Sequence, residues 1–427
     1  MAESPNLPTA PPIDRASFGS LIRKAAVYLT GDALYFFLGF LVYGWLVRIL
    51  SNEQYGQLSI ATSIFQLFMM VVAIGIDMVG PKYLVGAGLR FWSLIREFQL
   101  YRYKIFVFIV IPFLTSFAIY YWHSGQAGIA QILLTSLLLI LARAYDISYA
   151  AISISKPGIL ARSRGIGMAI YLLALVAVQG LIRRQVALVV LVQAGALTLG
   201  RQLMVWELRK AHPGEDQQKV DHRERRAMRS AGLHAGGAQV LMLACNSLDS
   251  VWLGRHYPSA IVGQYATVGR LYLFGTYVLG SILNAYLPPL ISNRNEPSAF
   301  AKLLRQLWLT SMVAGLVGGS LIWRTGPIVA ERLAGRSLPM AHEVAPMFGL
   351  TFLVMSVCAP YYAILPAMGE DRAYLIGVFG ALIILIVGFQ LLIPLLGCAG
   401  APLAQTIGLA GLGVFAFLRL RTKIPFA

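Results

Sequence analysis

The stretch LRKAHPGEDQQKVDHRERRAMRS (208–230) is the longest polar interruption in a 427-residue chain that is 58% hydrophobic. On each side of it lie six apolar runs, most of them close to the roughly twenty residues that a helix needs to cross a bilayer. Before it the runs are 26–49, 57–80, 104–121, 127–148, 165–182 and 187–208; after it they are 232–254, 262–287, 306–323, 346–368, 373–396 and 400–419. Backbone N–H and C=O groups in hydrocarbon must bond within their own segment or sheet, so runs of this length are read as helices. The sequence therefore predicts an all-α integral membrane protein, with about twelve transmembrane helices in two pseudo-symmetric six-helix bundles. The expected divisions are a tail over 1–25, a first bundle over 26–208, a linker over 209–231, a second bundle over 232–419 and a tail over 420–427.

Charge supports this reading. Only 12% of residues are charged, about half the share in a soluble domain. A soluble enzyme, a secreted disulfide scaffold and a disordered chain are excluded on that ground. The balance is basic, 35 Lys and Arg against 18 Asp and Glu, which in a soluble protein would point to nucleic acid. Here the basic residues sort by loop: 25 fall on the side of the amino terminus and 6 on the other, with Arg48, Arg143, Arg201 and Arg270 left inside spans. Because Lys and Arg collect in cytoplasmic loops, no nucleic-acid partner is expected and both termini are placed in the cytoplasm. The Pro-rich start, with Glu3 and Asp14, lacks the basic and apolar regions of a secretory signal and reads as a short cytoplasmic tail. Cys245, Cys358 and Cys398 stand far apart in apolar runs, so neither disulfides nor a metal site are expected.

The two halves share a short repeat. Arg48 stands eight residues before Gly56-Gln57, and Arg255 stands eight residues before Gly263-Gln264. Both pairs fall at the turn between the first two helices of a half. Repeats of six helices keep the same orientation, so they are related by an axis along the membrane normal. Two such bundles can rock about a central cavity, as transporters do.

Four stretches carry a family resemblance. They are LVRILSNEQYGQLSIATSIFQ (46–66), LDSVWLGRHYPSAIVGQYATVGRLY (248–272), AGRSLPMAHEVAPMFGL (334–350) and LLIPLLGCAGAPLAQTIG (391–408). In these the chain resembles the polysaccharide flippases of the multidrug/oligosaccharidyl-lipid/polysaccharide exporter superfamily, with Ile49 where Leu is usual and Pro402 where a second Ala is common. The resemblance implies movement of an undecaprenyl-pyrophosphate-linked oligosaccharide to the outer leaflet of a bacterial inner membrane, in O-antigen, capsule or exopolysaccharide assembly. It also implies work beside a polysaccharide polymerase and chain-length proteins, with H+ or Na+ as coupling ion and no cofactor.

Charges inside the spans are the candidate site residues, because an isolated Arg or Asp at mid-bilayer costs about 2.5–3.5 kcal/mol. Arg270, about eight residues into its span, is either the partner of Asp249 in a structural ion pair or a ligand for an anionic substrate. Guanidinium stays charged and meets phosphate oxygens two at a time. Arg201 is the second candidate ligand. Arg143 can pair locally with Asp146, and Arg48 stands near the outer interface; both are carried as further substrate ligands. For ion coupling the candidates are Asp32, Asp249 and Asp77, each a carboxylate able to exchange a proton or sodium.

Rival functions find less support. The longest outer connection offers Glu331, His342 and Glu343 without the paired-carboxylate spacing of a membrane glycosyltransferase or polymerase. No GxxxxGK[ST] loop is present, so ATP hydrolysis is not expected. A drug/cation antiporter would line its cavity with acids, whereas these spans hold arginines.

Overall fold

A computed structural model describes residues 35–84, 87–154, 156–211, 220–293 and 296–422. Among them every regular element is helical. The first half comprises α1 (Tyr35–Ile49), α2 (Asn52–Ala73), α3 (Ile76–Leu84), α4 (Phe91–Ile105), α5 (Ile111–His123), α6 (Ala127–Ala144), α7 (Ser148–Ser153), α8 (Pro157–Ala177), α9 (Gln179–Ile182) and α10 (Ala187–Ala211). The second comprises α11 (His222–His256), α12 (Ser259–Ser292), α13 (Pro297–Ala334), α14 (Pro339–Ala367), α15 (Asp371–Leu396) and α16 (Gly400–Arg421).

Nine described stretches are long and apolar enough to cross a membrane, and the last, Asp371–Arg421, holds both α15 and α16. With the shorter α1 and the partly polar α11, each of the twelve apolar runs read from the sequence has a helical counterpart. Phe108, Leu173 and Leu395 are among many large apolar side chains left exposed on the outside. That exterior suits lipid, where such residues cost nothing to expose. The chain is a multi-pass integral membrane protein.

Several helix limits differ from those expected. The run read as 57–80 breaks at Ile74 and Gly75, which both have left-handed backbone, φ 36° and 67°. The run read as 104–121 belongs to a longer helical stretch over Phe91–His123, in which a π-helical turn at Phe106–Val110 precedes Pro112. Pro112 cannot donate an N–H to the turn before it, and the widened turn absorbs that loss. The run read as 165–182 starts earlier, at Pro157, where proline suits a first helical turn. Hydropathy marks only the apolar part of a helix; it is blind to polar turns that continue beyond it.

Each half packs in the same pattern. α2 lies on α6 as α12 lies on α14, α5 on α6 as α13 on α14, α6 on α10 as α14 on α16, and α8 on α10 as α15 on α16. The result is two lobes related by a pseudo-two-fold axis. Between them α2 lies against α11 and α12, and α3 against α11. The short repeat sits on that seam. A methyl group on Gly56 would collide with the Ser259 carbonyl, and one on Gly263 with the Asn52 carbonyl, so only glycine allows α2 and α12 to cross this closely. The adjoining glutamines correspond too: Gln57 lies over Gly128 at the start of α6, and Gln264 accepts from Met340 N at the start of α14 (3.3 Å). The Tyr43 hydroxyl donates to Thr267 O (2.6 Å), and Arg336 donates to Leu50 O (2.7 Å), so α1 is also tied to the second lobe.

Candidate functional site

Two groups of buried polar residues stand out, one between the lobes and one inside the first lobe. The inter-lobe cleft is lined by Ser59 and Ser63 from α2, Asn246 and Asp249 from α11, and Tyr265 and Arg270 from α12. The spacing explains the convergence. Ser59 and Ser63 are four apart, and Asn246, Asp249 and Ser250 are three and four apart, so each set shares one helix face.

Asp249 is well supplied with donors. The Tyr265 hydroxyl (2.6 Å) and Ser250 N (2.6 Å) both donate to its carboxylate. Arg270 forms no direct ion pair with it, so the structural pairing considered from the sequence is absent. Instead the guanidinium is half-buried on the cleft wall, with Tyr55, Tyr277 and Tyr43 in its electrostatic surroundings. It lies roughly 16 Å along α12 from Ser259 by helical rise, deeper than the apolar run alone indicated. The cleft thus presents one guanidinium, Arg270, and one carboxylate, Asp249, with no direct contact between them, so the guanidinium fork is free to meet an anion. Behind the cleft the Gln405 amide donates to Asn246 Oδ1 (3.0 Å), while its own Oε1 is buried without a partner.

The cleft is small in this conformer, about 40 Å³. That is room for a few ordered waters, each needing roughly 10–15 Å³ by this measure, and far too little for a sugar. Any larger guest requires the lobes to part.

The second group gathers Asp77 from α3, Arg102 from α4, Arg143 from α6, Asp146 from the turn between α6 and α7, and Arg201 from α10. Arg102 Nη2 donates to Asp77 (2.6 Å) and its Nη1 to Asp146 O (2.8 Å). Arg143 bridges Asp77 and Asp146, and Arg201 Nε stands 3.8 Å from Asp146. Three guanidinium groups thus share two carboxylates, leaving one positive charge in excess. The break at Ile74–Gly75 is what starts α3 as a new helix and brings Asp77 to this cluster.

The structure therefore brings Arg143, Arg201 and Asp77 together, and separately Arg270 and Asp249. Arg48 belongs to neither group; it is an exposed residue at the end of α1. Asp32 lies outside the described residues. Arg102 corrects the sequence reading most sharply: counted there with the loop residues, it is 0% exposed and stacks over Tyr149 at 5.2 Å. Asn246, Ser59, Ser63 and Gln405 were not singled out at all, although the helical spacing of the first three could have marked them.

Comparison with known proteins adds three findings. A family model described as polysaccharide biosynthesis protein matches residues 21–294. No functionally curated protein matches the chain. Among solved structures, an inward-facing multidrug resistance MATE transporter of the MOP superfamily aligns with TM-score 0.72 at 12% identity, covering 94% of this chain and 98% of that one. An outward-facing structure of a MATE transporter of the same superfamily aligns with TM-score 0.66 at 12% identity, covering 95% of each chain. A MOP transporter from Pyrococcus furiosus, described by the reverse polarity of its binding pocket, aligns with TM-score 0.64 at 13% identity, covering 95% of each chain. At these identities the likeness establishes the fold of that superfamily.

Proposed function

The chain belongs to the polysaccharide biosynthesis protein family, and on that premise we propose that it is a flippase for a polyprenyl-pyrophosphate-linked oligosaccharide. In this reading the basic end faces the cytoplasm of a bacterium, the two lobes divide at the 209–231 linker, and the head group crosses between them. The glycan then serves O-antigen, capsule or exopolysaccharide assembly, beside a polymerase and chain-length proteins.

One observation carries the choice of substrate class. Arg270 stands in the seam between the lobes with no direct ion pair, although the Asp249 carboxylate lines the same cleft. Pyrophosphate oxygens match a guanidinium fork that has no carboxylate bound to it, whereas a cationic drug gains nothing from that fork. The excess positive charge at Arg143 and Arg201 extends the same preference into the first lobe. Movement follows from the geometry: the cleft must widen to take a head group, and the crossing at Gly56 and Gly263 is the contact that parts when it opens outward. Binding energy spent on the open form shifts the population toward it.

The test is a deletion strain analysed for lipid-linked oligosaccharide. Complete units accumulating on the inner leaflet are expected; truncated glycans would instead assign the protein to sugar transfer.

Coupling to an ion is assigned in this proposal to Asp249, with Asp32 and Asp77 as further carboxylates. Tyr265 and Ser250 hold Asp249 in place to exchange a proton or sodium with the cleft. Asp249→Asn is expected to flatten the dependence of export on external pH or sodium, measured in vesicles with an imposed gradient. A mutant profile that follows the parent's would remove Asp249 from the coupling step.

A further inference from the structure

A second, larger hollow lies on the outside of the first lobe, between α6 and α10. Its volume is about 1030 Å³. Leu138, Leu191 and Leu199 form its apolar walls and are themselves 41–51% exposed, and none of its lining residues lines the inter-lobe cleft. Small residues make the space: Ala142, Ala194 and Gly195 line it, and a side chain begun at Gly195 would meet nothing within 4 Å. Polar residues lie toward the basic end, where Arg201 and Arg209 border the same hollow. Arg201 Nη1 is buried and has no hydrogen-bond partner, while its Nε is 3.8 Å from Asp146.

We propose that this groove holds the lipid carrier of the substrate, with its hydrocarbon chain against α6 and α10 and a phosphate at Arg201. The inference rests on the proposed flippase function. Charge selects an acidic lipid, because Arg201 and Arg209 border the groove, and a turn of the Arg201 side chain toward it would give the buried, unpartnered Nη1 a phosphate oxygen. Length selects a polyprenyl chain over an ordinary acyl chain. From Leu191 to Arg209 the groove follows α10 for roughly 27 Å of helical rise, close to the about 30 Å of a whole hydrocarbon core, whereas one acyl chain fills half of that. Arg201 joins the two sites: it borders the groove on one side and the buried cluster of the first lobe on the other. A carrier seated in the groove would keep its tail in lipid while its head group lies next to the excess positive charge of that cluster.

The test uses the full-length protein in nanodiscs with a photoactivatable polyprenyl pyrophosphate, and phosphatidylglycerol carrying the same label as comparison. Labelled peptides from α6 and α10 are expected with the polyprenyl probe and not with phosphatidylglycerol. Gly195→Phe should fill the groove and suppress this labelling, while Gly180→Phe, placed where a side chain also meets nothing within 4 Å, should leave it intact. Arg201→Gln should weaken the polyprenyl signal about tenfold, as expected for one hydrogen bond to a charged group. Labelling by the polyprenyl probe at the inter-lobe cleft alone would overturn the groove proposal and leave the flippase reading standing. Equal labelling by phosphatidylglycerol would reduce the groove to a general lipid seat and overturn it as well. A dimer that dissociates with Gly195→Phe would assign the groove to a second copy of this chain. Failure of the polyprenyl probe to label the protein anywhere would count against both proposals.

Discussion

Arg270→Ala is expected to abolish glycan export while the amount of protein in the membrane stays at the parent level. The two halves of that expectation come from the same surroundings. Arg270 makes no direct ion pair with Asp249, whose carboxylate accepts from the Tyr265 hydroxyl and Ser250 N. Removing the guanidinium therefore breaks no direct ion pair, and Asp249 keeps both of its donors, so the severe loss of stability seen when one partner of a buried pair is deleted is not expected. Function is another matter. A hydrogen bond to a charged group contributes about 1.5–3 kcal/mol, so losing even one to a pyrophosphate weakens its hold roughly ten- to a hundredfold, and a forked contact loses more. Arg270→Lys keeps the charge but not the fork, and should fall between parent and alanine. Surface glycan by immunoblot, read against protein level, decides the matter. Full export by Arg270→Ala at normal protein level would reject the phosphate site.

The parts legible in the sequence and the parts that were not divide along a physical line. Lipid forces every spanning segment to be helical, so the twelve helices follow from apolar run lengths. The repeat was also readable, because Gly56 and Gly263 are required by a backbone crossing that no larger residue permits. What depends on a change of direction was hidden. Ile74 is an ordinary apolar residue, and Gly75 beside it is one of 41 glycines, so the left-handed turn that separates α3 from α2 did not stand out. Without that turn Asp77 reads as a polar residue at a helix end rather than as the shared partner of Arg102 and Arg143. Arg102 was misread for the complementary reason: a basic residue before an apolar run resembles a topology signal, and only tertiary packing distinguishes a loop cation from a buried one. The hollow between α6 and α10 was invisible because it is made of absent volume, at Gly195 and the alanines near it.

Arg102 gives the largest expected effect on stability. Its side chain is fully buried, donates to Asp77 and to the Asp146 carbonyl, and lies over the Tyr149 ring. Arg102→Ala leaves Asp77 with Arg143 alone, opens a large void and orphans a buried carbonyl. Breaking a buried pair from one side costs about 3–5 kcal/mol, so the variant should unfold well below the parent in detergent and reach the membrane in reduced amount. The contrast with Arg270→Ala is diagnostic: one loses protein, the other loses export per molecule. A compensating change sharpens it. Arg102→Met fills most of the volume and leaves two guanidiniums for two carboxylates, so it should be more stable than Arg102→Ala, whereas adding Asp77→Asn takes a partner from Arg143 and should lower stability again. Thermal unfolding followed by tryptophan fluorescence measures each. If Arg102→Ala melts with the parent, the three arginines and two aspartates of the first lobe do not hold it together, and their excess charge would have to be explained by the substrate alone.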